Sequence, residues 1–176
     1  MRADSFATFA LAALVIATPV VVGEARAQGA EAEVLGADGT AIGTVTVTEV
    51  AKGVHILAEV SNLPSGVHAF HIHAVGLCEP PFTSAGGHFN PTGAQHGWNN
   101  PNGHHAGDLP NVHVEADGVL AIEVFTAAVT MTEGETSLFD ADGASIVMHQ
   151  GPDDYHTDPA GDAGARIACA VIAPPK

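Results

Sequence analysis

The chain is built mainly from short runs of β-branched and apolar residues, and these runs limit the folds it can form. In Ala41–Val50 (AIGTVTVTEV) β-branched residues recur at alternate positions, which is typical of a half-buried strand. Turn sequences such as Asp38-Gly39 and Lys52-Gly53 flank this run. Further runs lie at residues 32–35, 54–60, 67–74, 112–115, 119–125, 145–149 and 167–172. The sequence therefore predicts an all-β fold of about eight strands, an antiparallel sandwich or barrel.

Two long segments interrupt the strand pattern. Residues 76–110 are rich in Gly, Pro, Asn and His, and residues 150–165 are rich in Asp, Gly and Pro. Loops of this length inside a compact domain are usually functional or disordered. A chain of 176 residues is long enough for one sizeable core and too short for two. We expect one domain with two long functional loops.

The first 27 residues have the features of an export signal. Arg2 precedes an almost wholly apolar run at residues 6–22, and Ala25-Arg26-Ala27 provides a small-x-small cleavage site. The alternative is a retained membrane anchor, which Pro19 and the shortness of the run disfavour. We therefore expect a signal peptide at 1–27, a mature domain at 28–176 and no stable membrane span after cleavage. The periplasm is the expected location, with secretion and surface tethering as alternatives.

Two cysteines, Cys78 and Cys169, lie far apart in the expected mature domain. In an exported protein such a pair most simply forms one disulfide. The alternative is two buried free thiols.

The charge balance excludes one class of partner and draws attention to histidine. The chain has 5 Lys and Arg against 20 Asp and Glu, a formal net charge of −15. Such an acidic chain repels phosphate backbones, so nucleic acid is not an expected partner. Histidine occurs 11 times, more than Lys and Arg together, and this surplus indicates metal chemistry.

The histidines form two candidate groups. His71 and His73 are two apart in a strand pattern, so both side chains project from one face and could converge with His88 and His149. A second group is denser and contains His96, His105 and Asp108. Imidazole suits copper and zinc better than calcium or magnesium. Three nitrogens and a carboxylate suit tetrahedral zinc, provided that one histidine of the first group also reaches the second.

Five segments of the chain resemble the copper–zinc superoxide dismutase family. They are GVHAFHIH at 66–73, TSAGGHFNP at 83–91, HGWNNPNGHHAGDL at 96–109, VMH at 147–149 and GDAGARIAC at 161–169. They follow one another in the order found in that family. The spacing between Cys78 and His88, and the tail after Cys169, resemble the exported bacterial branch.

The resemblance implies a Greek-key barrel that dismutes superoxide to dioxygen and hydrogen peroxide by alternating reduction and oxidation of copper, with zinc structural. It implies a homodimer as one possible assembly. His71, His73, His88 and His149 match the copper ligands, and His88, His96, His105 and Asp108 match the zinc ligands. His88 is thus expected to bridge the two ions and to take part in proton transfer. Cys78 and Cys169 match the disulfide of the family.

Three further positions acquire expected roles from the resemblance. Arg166 matches the arginine that binds the anion beside copper. Asp153 matches a carboxylate that links His71 to His96 and orients both rings. Asp162 replaces a common asparagine, and an ion pair between Asp162 and Arg166 would weaken anion binding.

Alternatives to this interpretation remain. The same ligands could serve an exported protein that buffers or delivers copper and zinc without turnover, or a catalytically silent domain of the same fold. His104 could replace His105, although the spacing to Asp108 favours His105. His68 is expected to be a core histidine with a backbone hydrogen bond.

Overall fold

The structure is a computed structural model that describes residues 29–173. The predicted signal peptide, residues 1–27, lies outside the described residues. The strands within residues 29–173 are β1 (Gly29–Gly36), β2 (Ala41–Val50), β3 (Gly53–Val60), β4 (Gly66–His68), β5 (Phe70–His73), β6 (Val112–Val114), β7 (Leu120–Thr126), β8 (Ala144–His149) and β9 (Arg166–Ile172).

Seven of these strands form one antiparallel sheet in the order β5-β8-β9-β1-β2-β3-β7, and β4 pairs with β6 in a second, two-stranded sheet. The last strand, β9, returns to lie beside β1, which is followed by β2 and β3. A strand that returns beside the first of three hairpin-connected strands is the Greek-key arrangement. The predicted all-β antiparallel fold is confirmed.

The run at residues 67–74 forms two strands, whereas the sequence predicted one. β4 pairs with β6 and β5 pairs with β8, so the chain changes sheet at Ala69. The Ala69 N–H donates to the Gly151 carbonyl oxygen at 2.8 Å, and the Ala69 carbonyl accepts from the His149 N–H at 3.0 Å. Both backbone groups of Ala69 therefore bond to the end of β8 or to the residues directly after it, so the pairing of β4 with β6 cannot continue through Ala69.

The core lies inside the curled sheet. On β2 the buried residues Val45 and Val47 alternate with less buried threonines, as the sequence pattern predicted. Phe70 and Phe89 are also buried, as expected. Each such side chain contributes about 1.5–3 kcal/mol when it is fully removed from water. This core fixes β5 and β8, which precede the two long loops, and β9, which follows the second.

The disulfide between Cys78 and Cys169 is present and attaches the first long loop to β9. Cys169 packs with Phe82, Ala85 and Val147 in a small cluster of its own. Ala85 is the last residue of a short 3₁₀ helix in that loop, Thr83–Ala85, and Phe82 directly precedes this helix. Among residues 29–173, no helix is long and apolar enough to cross a bilayer.

Removing the disulfide is expected to destabilise the metal-free protein. The bond joins residues 91 positions apart, and the chain-entropy estimate for a loop of this size is about 4–5 kcal/mol, an upper figure. We expect the Cys78→Ala/Cys169→Ala variant to lose several kcal/mol of unfolding free energy in denaturant titrations. Reductant should destabilise the wild type and leave the variant unchanged. A loss below about 1 kcal/mol would contradict a structural role for the bond.

Candidate metal centre

Backbone pairing places the first long loop against β5. His71 lies opposite Asp108 and His73 lies opposite His88 in two antiparallel bridges. Residues on the same face of such pairs have side chains close together. Two histidines of a strand and two polar residues of a loop are therefore brought side by side by main-chain contacts.

Gly107 permits this close approach. Its carbonyl accepts from the Ile72 N–H at 2.9 Å, and its own N–H donates to the Phe89 carbonyl at 2.8 Å. A Cβ at residue 107 would collide with the Ile72 carbonyl oxygen. Any side chain here would therefore push the loop away from β5.

His149 on β8 lies opposite Arg166 on β9. The register of this strand pair shifts between Met148 and His149. The Arg166 guanidinium donates to the carbonyl oxygens of Phe82 at 2.5 Å and Gly86 at 2.6 Å. Phe82 and Gly86 belong to the loop that the disulfide secures. Arg166 is thereby held beside the histidines.

A first cluster of four buried histidines has ligand atoms that all lie within 4.8 Å of one another: His71, His73, His88 and His149. Two nitrogens in it, Nδ1 of His71 and Nε2 of His88, are buried without a hydrogen-bond partner. Buried polar atoms are normally paired, so these two need a ligand from outside the protein chain.

The other two rings of the first cluster are each held at Nδ1 by a backbone carbonyl. Nδ1 of His73 lies 3.0 Å from the Gly86 oxygen, and Nδ1 of His149 lies 3.2 Å from the Gly164 oxygen. A carbonyl accepts, so Nδ1 carries the proton and Nε2 keeps a free lone pair. The two Nε2 atoms lie 3.4 Å apart. Two acceptor nitrogens this close repel each other, and a cation bound by both would remove the repulsion.

A second buried cluster contains His88, His96, His105 and Asp108. Oδ1 of Asp108 lies 2.8 Å, 3.0 Å and 3.3 Å from Nδ1 of His88, His96 and His105. Oδ2 of Asp108 accepts from the N–H groups of Gly97 and His105, both at 3.0 Å. Three imidazole nitrogens and one carboxylate oxygen therefore converge, which is a donor set that zinc prefers.

Asp153 joins the two clusters. Its Oδ2 lies 2.8 Å from Nε2 of His71 and its Oδ1 lies 3.0 Å from Nε2 of His96. Asn111 fixes the backbone of this loop, because its side chain accepts from the Asp153 N–H at 2.8 Å and donates to the Asp153 carbonyl at 2.9 Å. The sequence pattern does not indicate Asn111, because a contact between residues 42 positions apart has no local signal.

Burial keeps three histidines of the first cluster, His73, His88 and His149, neutral. Desolvation lowers the pKa of His73 to about 2, of His88 to about 4 and of His149 to about 4. Neighbouring imidazoles lower these pKa values further by repulsion between their charged forms. At neutral pH these rings therefore offer lone pairs, as metal binding requires.

The carboxylates are ionised in spite of their burial. Burial alone raises the pKa of Asp108 and of Asp153, but hydrogen bonds to the surrounding histidines outweigh it and hold both pKa values well below the usual range. Burial has the opposite effect on a histidine and lowers the pKa of His96, but hydrogen bonds and charge interactions with Asp108 and Asp153 raise it to about 9. Two buried negative charges thus attract positive charge to the second cluster.

A cavity of about 380 Å³ opens onto the first cluster. His73, His88, His149 and Arg166 line it. Arg166 is its one Lys or Arg, and burial lowers the pKa of this guanidinium from its usual high value. Among residues 29–173, no carboxylate forms an ion pair with Arg166, so the pairing with Asp162 that would weaken anion binding is not formed. The cavity can therefore admit a small anion to the histidines.

Five histidines lie outside the two clusters, and His68 and His104 are two of them. The ring nitrogens of His68 are 2.9 Å from the His149 carbonyl oxygen and 2.8 Å from that of Pro64, so His68 is a buried histidine with backbone hydrogen bonds, as predicted. His104 stacks on Trp98 with ring centroids 3.5 Å apart. His105, and not His104, faces Asp108.

The chain belongs to the copper/zinc superoxide dismutase family, because residues 41–172 match the family of that description. That family uses copper and zinc, and both clusters have the donor atoms that suit these ions.

Named relatives agree with this assignment. The chain is 48% identical over 146 residues to superoxide dismutase [Cu-Zn] 2 of Aquifex aeolicus, covering 81% of this chain and 85% of that protein. It is 45% identical over 147 residues to superoxide dismutase [Cu-Zn] of Caulobacter vibrioides, covering 81% and 84%.

Solved structures share the fold. A SOD-like protein from Bacillus subtilis superposes with a TM-score of 0.77 at 37% identity, covering 81% of this chain and 97% of that one. The Cu/Zn superoxide dismutase from Brucella abortus superposes with a TM-score of 0.67 at 29% identity, covering 82% and 99%.

Gly161 provides a test of the link made by Asp153. At Gly161 (φ +67°) a Cβ would collide with the Asp153 carboxylate and lie 2.8 Å from Nε2 of His96. At Gly93 (φ +66°) a Cβ would meet nothing within 4 Å. Both Ala variants bear the same left-handed penalty of about 1–2 kcal/mol, so Gly93→Ala is a matched control.

We expect Gly161→Ala to lose about 1–3 kcal/mol more unfolding free energy than Gly93→Ala, because only the former displaces a buried carboxylate. Denaturant titration of both variants measures this difference. Equal losses would show that the contact of Asp153 with His71 and His96 contributes nothing to stability.

Proposed function

We propose that the protein is a copper- and zinc-dependent superoxide dismutase that converts two superoxide anions and two protons to dioxygen and hydrogen peroxide. The observation that carries the proposal is the position of His88. Its Nδ1 lies in the cluster around Asp108, and its unpartnered Nε2 lies in the cluster that faces the cavity. One imidazole therefore belongs to both candidate metal sites.

Copper is assigned to the cluster that faces the cavity. The nitrogens left free by their surroundings are Nδ1 of His71 and Nε2 of His73, His88 and His149. Zinc is assigned to Nδ1 of His88, His96 and His105 together with the Asp108 carboxylate. When bound, copper supplies one-electron exchange, and zinc, which has no redox chemistry, holds His88 in place.

The side chains around the cavity perform the remaining tasks. Arg166 is oriented by two carbonyls and still lines the cavity, so its guanidinium can bind and orient the superoxide anion. Nε2 of His88 can carry a proton whenever no metal ion occupies it. It can pass that proton to the peroxide formed from superoxide. Asp153 keeps His71 and His96 in fixed orientations throughout.

An arginine held at the cavity favours an enzyme over a metal carrier. A carrier needs the ligands but has no use for an anion-binding guanidinium beside them. The names of the relatives from Aquifex aeolicus and Caulobacter vibrioides support the same reaction.

We further propose that the protein is exported and that residues 1–27 are its signal. The disulfide supports export, because such bonds persist in oxidising compartments. Periplasmic location and the homodimer stay predictions.

Dismutase activity of the protein loaded with both metals tests the proposal. We expect His149→Ala to fall to the activity of the copper-free protein, because a ligand of the redox metal is lost. Arg166→Ala should retain two bound metals and lose about ten-fold in kcat/KM, equal to about 1.4 kcal/mol of anion binding.

His113→Ala is the matched control, because this histidine is exposed on β6 and lies outside both clusters. It should keep full activity. A parent protein that binds two metals without turnover, with variants equally inactive, would favour the metal carrier.

A further inference from the structure

Asp158 lines the same cavity as Arg166 and is its one carboxylate. Its side chain is 50% exposed. The charged side chains of the cavity wall are thus one guanidinium and one carboxylate. No role for Asp158 follows from the reaction described above.

The Asp158 carboxylate is fixed in place. Its Oδ1 accepts a hydrogen bond from the His96 backbone N–H at 2.6 Å and lies 3.9 Å from Nε2 of His105. A carboxylate so held keeps its negative charge at one point of the wall. The same contact ties the second long loop to the first long loop, which carries all four proposed zinc ligands.

We propose that Asp158 is a positioning residue with two effects: it anchors the zinc-side segment through His96, and it limits the access of anions to the cavity. The proposal rests on the proposed function for the identity of the anion and the metals. The anchoring of the zinc-side segment requires only the oxygen acceptor of Asp158, whereas the limit on anion access requires its negative charge. Substitutions can therefore separate the two effects.

The expected size of the charge effect is modest. Two unit charges about 8 Å apart in water interact strongly enough to change an equilibrium about two-fold. The Debye length is about 30 Å at 0.01 M ionic strength and about 3 Å at 1 M. The effect is therefore present at low salt and disappears at high salt.

Three variants separate charge from anchoring. Asp158→Asn keeps an oxygen acceptor for the His96 N–H and removes the charge, whereas Asp158→Ala removes both. Asp142→Asn is the control, because Asp142 is exposed, does not line the cavity and gives the same change in net charge. The measurements use protein loaded with both metals.

The first readout is the dissociation constant of azide, followed by the absorption of the cupric protein, and the second is kcat/KM for superoxide. At 0.01 M ionic strength, Asp158→Asn should bind azide about two-fold more tightly and raise kcat/KM about two-fold, with no difference at 1 M. Asp142→Asn should match the wild type. Azide affinity does not require turnover, so a protein inactive towards superoxide would refute the proposed function without hiding the effect of Asp158.

The third readout is zinc affinity by chelator competition. Asp158→Ala should bind zinc about 10-fold or more weakly than the wild type, and Asp158→Asn should stay close to it. Equal azide affinities of Asp158→Asn and wild type at low salt would refute the proposal that Asp158 limits anion access. An increase in azide affinity in Asp142→Asn as large as that in Asp158→Asn would also refute it. Equal zinc affinities of Asp158→Ala and Asp158→Asn would overturn the anchoring.

Discussion

The site depends on how each buried imidazole places its two nitrogens. On His71 a carboxylate holds one nitrogen, and on His73 and His149 a backbone carbonyl does so, which leaves the second nitrogen of each ring directed into the same space. His88 differs, because its two nitrogens face two different clusters. A rigid ring that lies between two donor sets couples them more directly than any flexible side chain could.

This arrangement is costly without cations and therefore links metal binding to folding. Asp108 and Asp153 are buried and ionised, and unpaired nitrogens are buried near them. Buried charges require close partners of opposite sign. Metal ions that bind only the folded chain stabilise it by the free energy of binding. The disulfide and the sheet hold the loops in position, and the metals offset the repulsion among the groups that the loops bring together.

The sequence predicted all seven side chains of the two clusters, because their signals are local or belong to a recognisable motif. The alternation of His71 and His73 in a strand predicts one shared face, and the structure places both in the first cluster. The change of sheet at Ala69 was not predicted, because it depends on bonds to residues 149 and 151 far along the chain. Asn111, Asp158 and the Gly86 carbonyl were missed for the same reason: they act through contacts between loops, and a backbone carbonyl leaves no trace in side-chain patterns.

Everything proposed for the site requires that two metal ions share the ring of His88, and a crystal structure of the oxidised, fully loaded protein can show whether they do. Anomalous scattering recorded at the copper and zinc absorption edges identifies each ion. We expect copper among His71, His73, His88 and His149, and zinc among His88, His96, His105 and Asp108, with the two ions on opposite nitrogens of the His88 ring. A structure in which His88 contacts at most one ion would contradict this expectation.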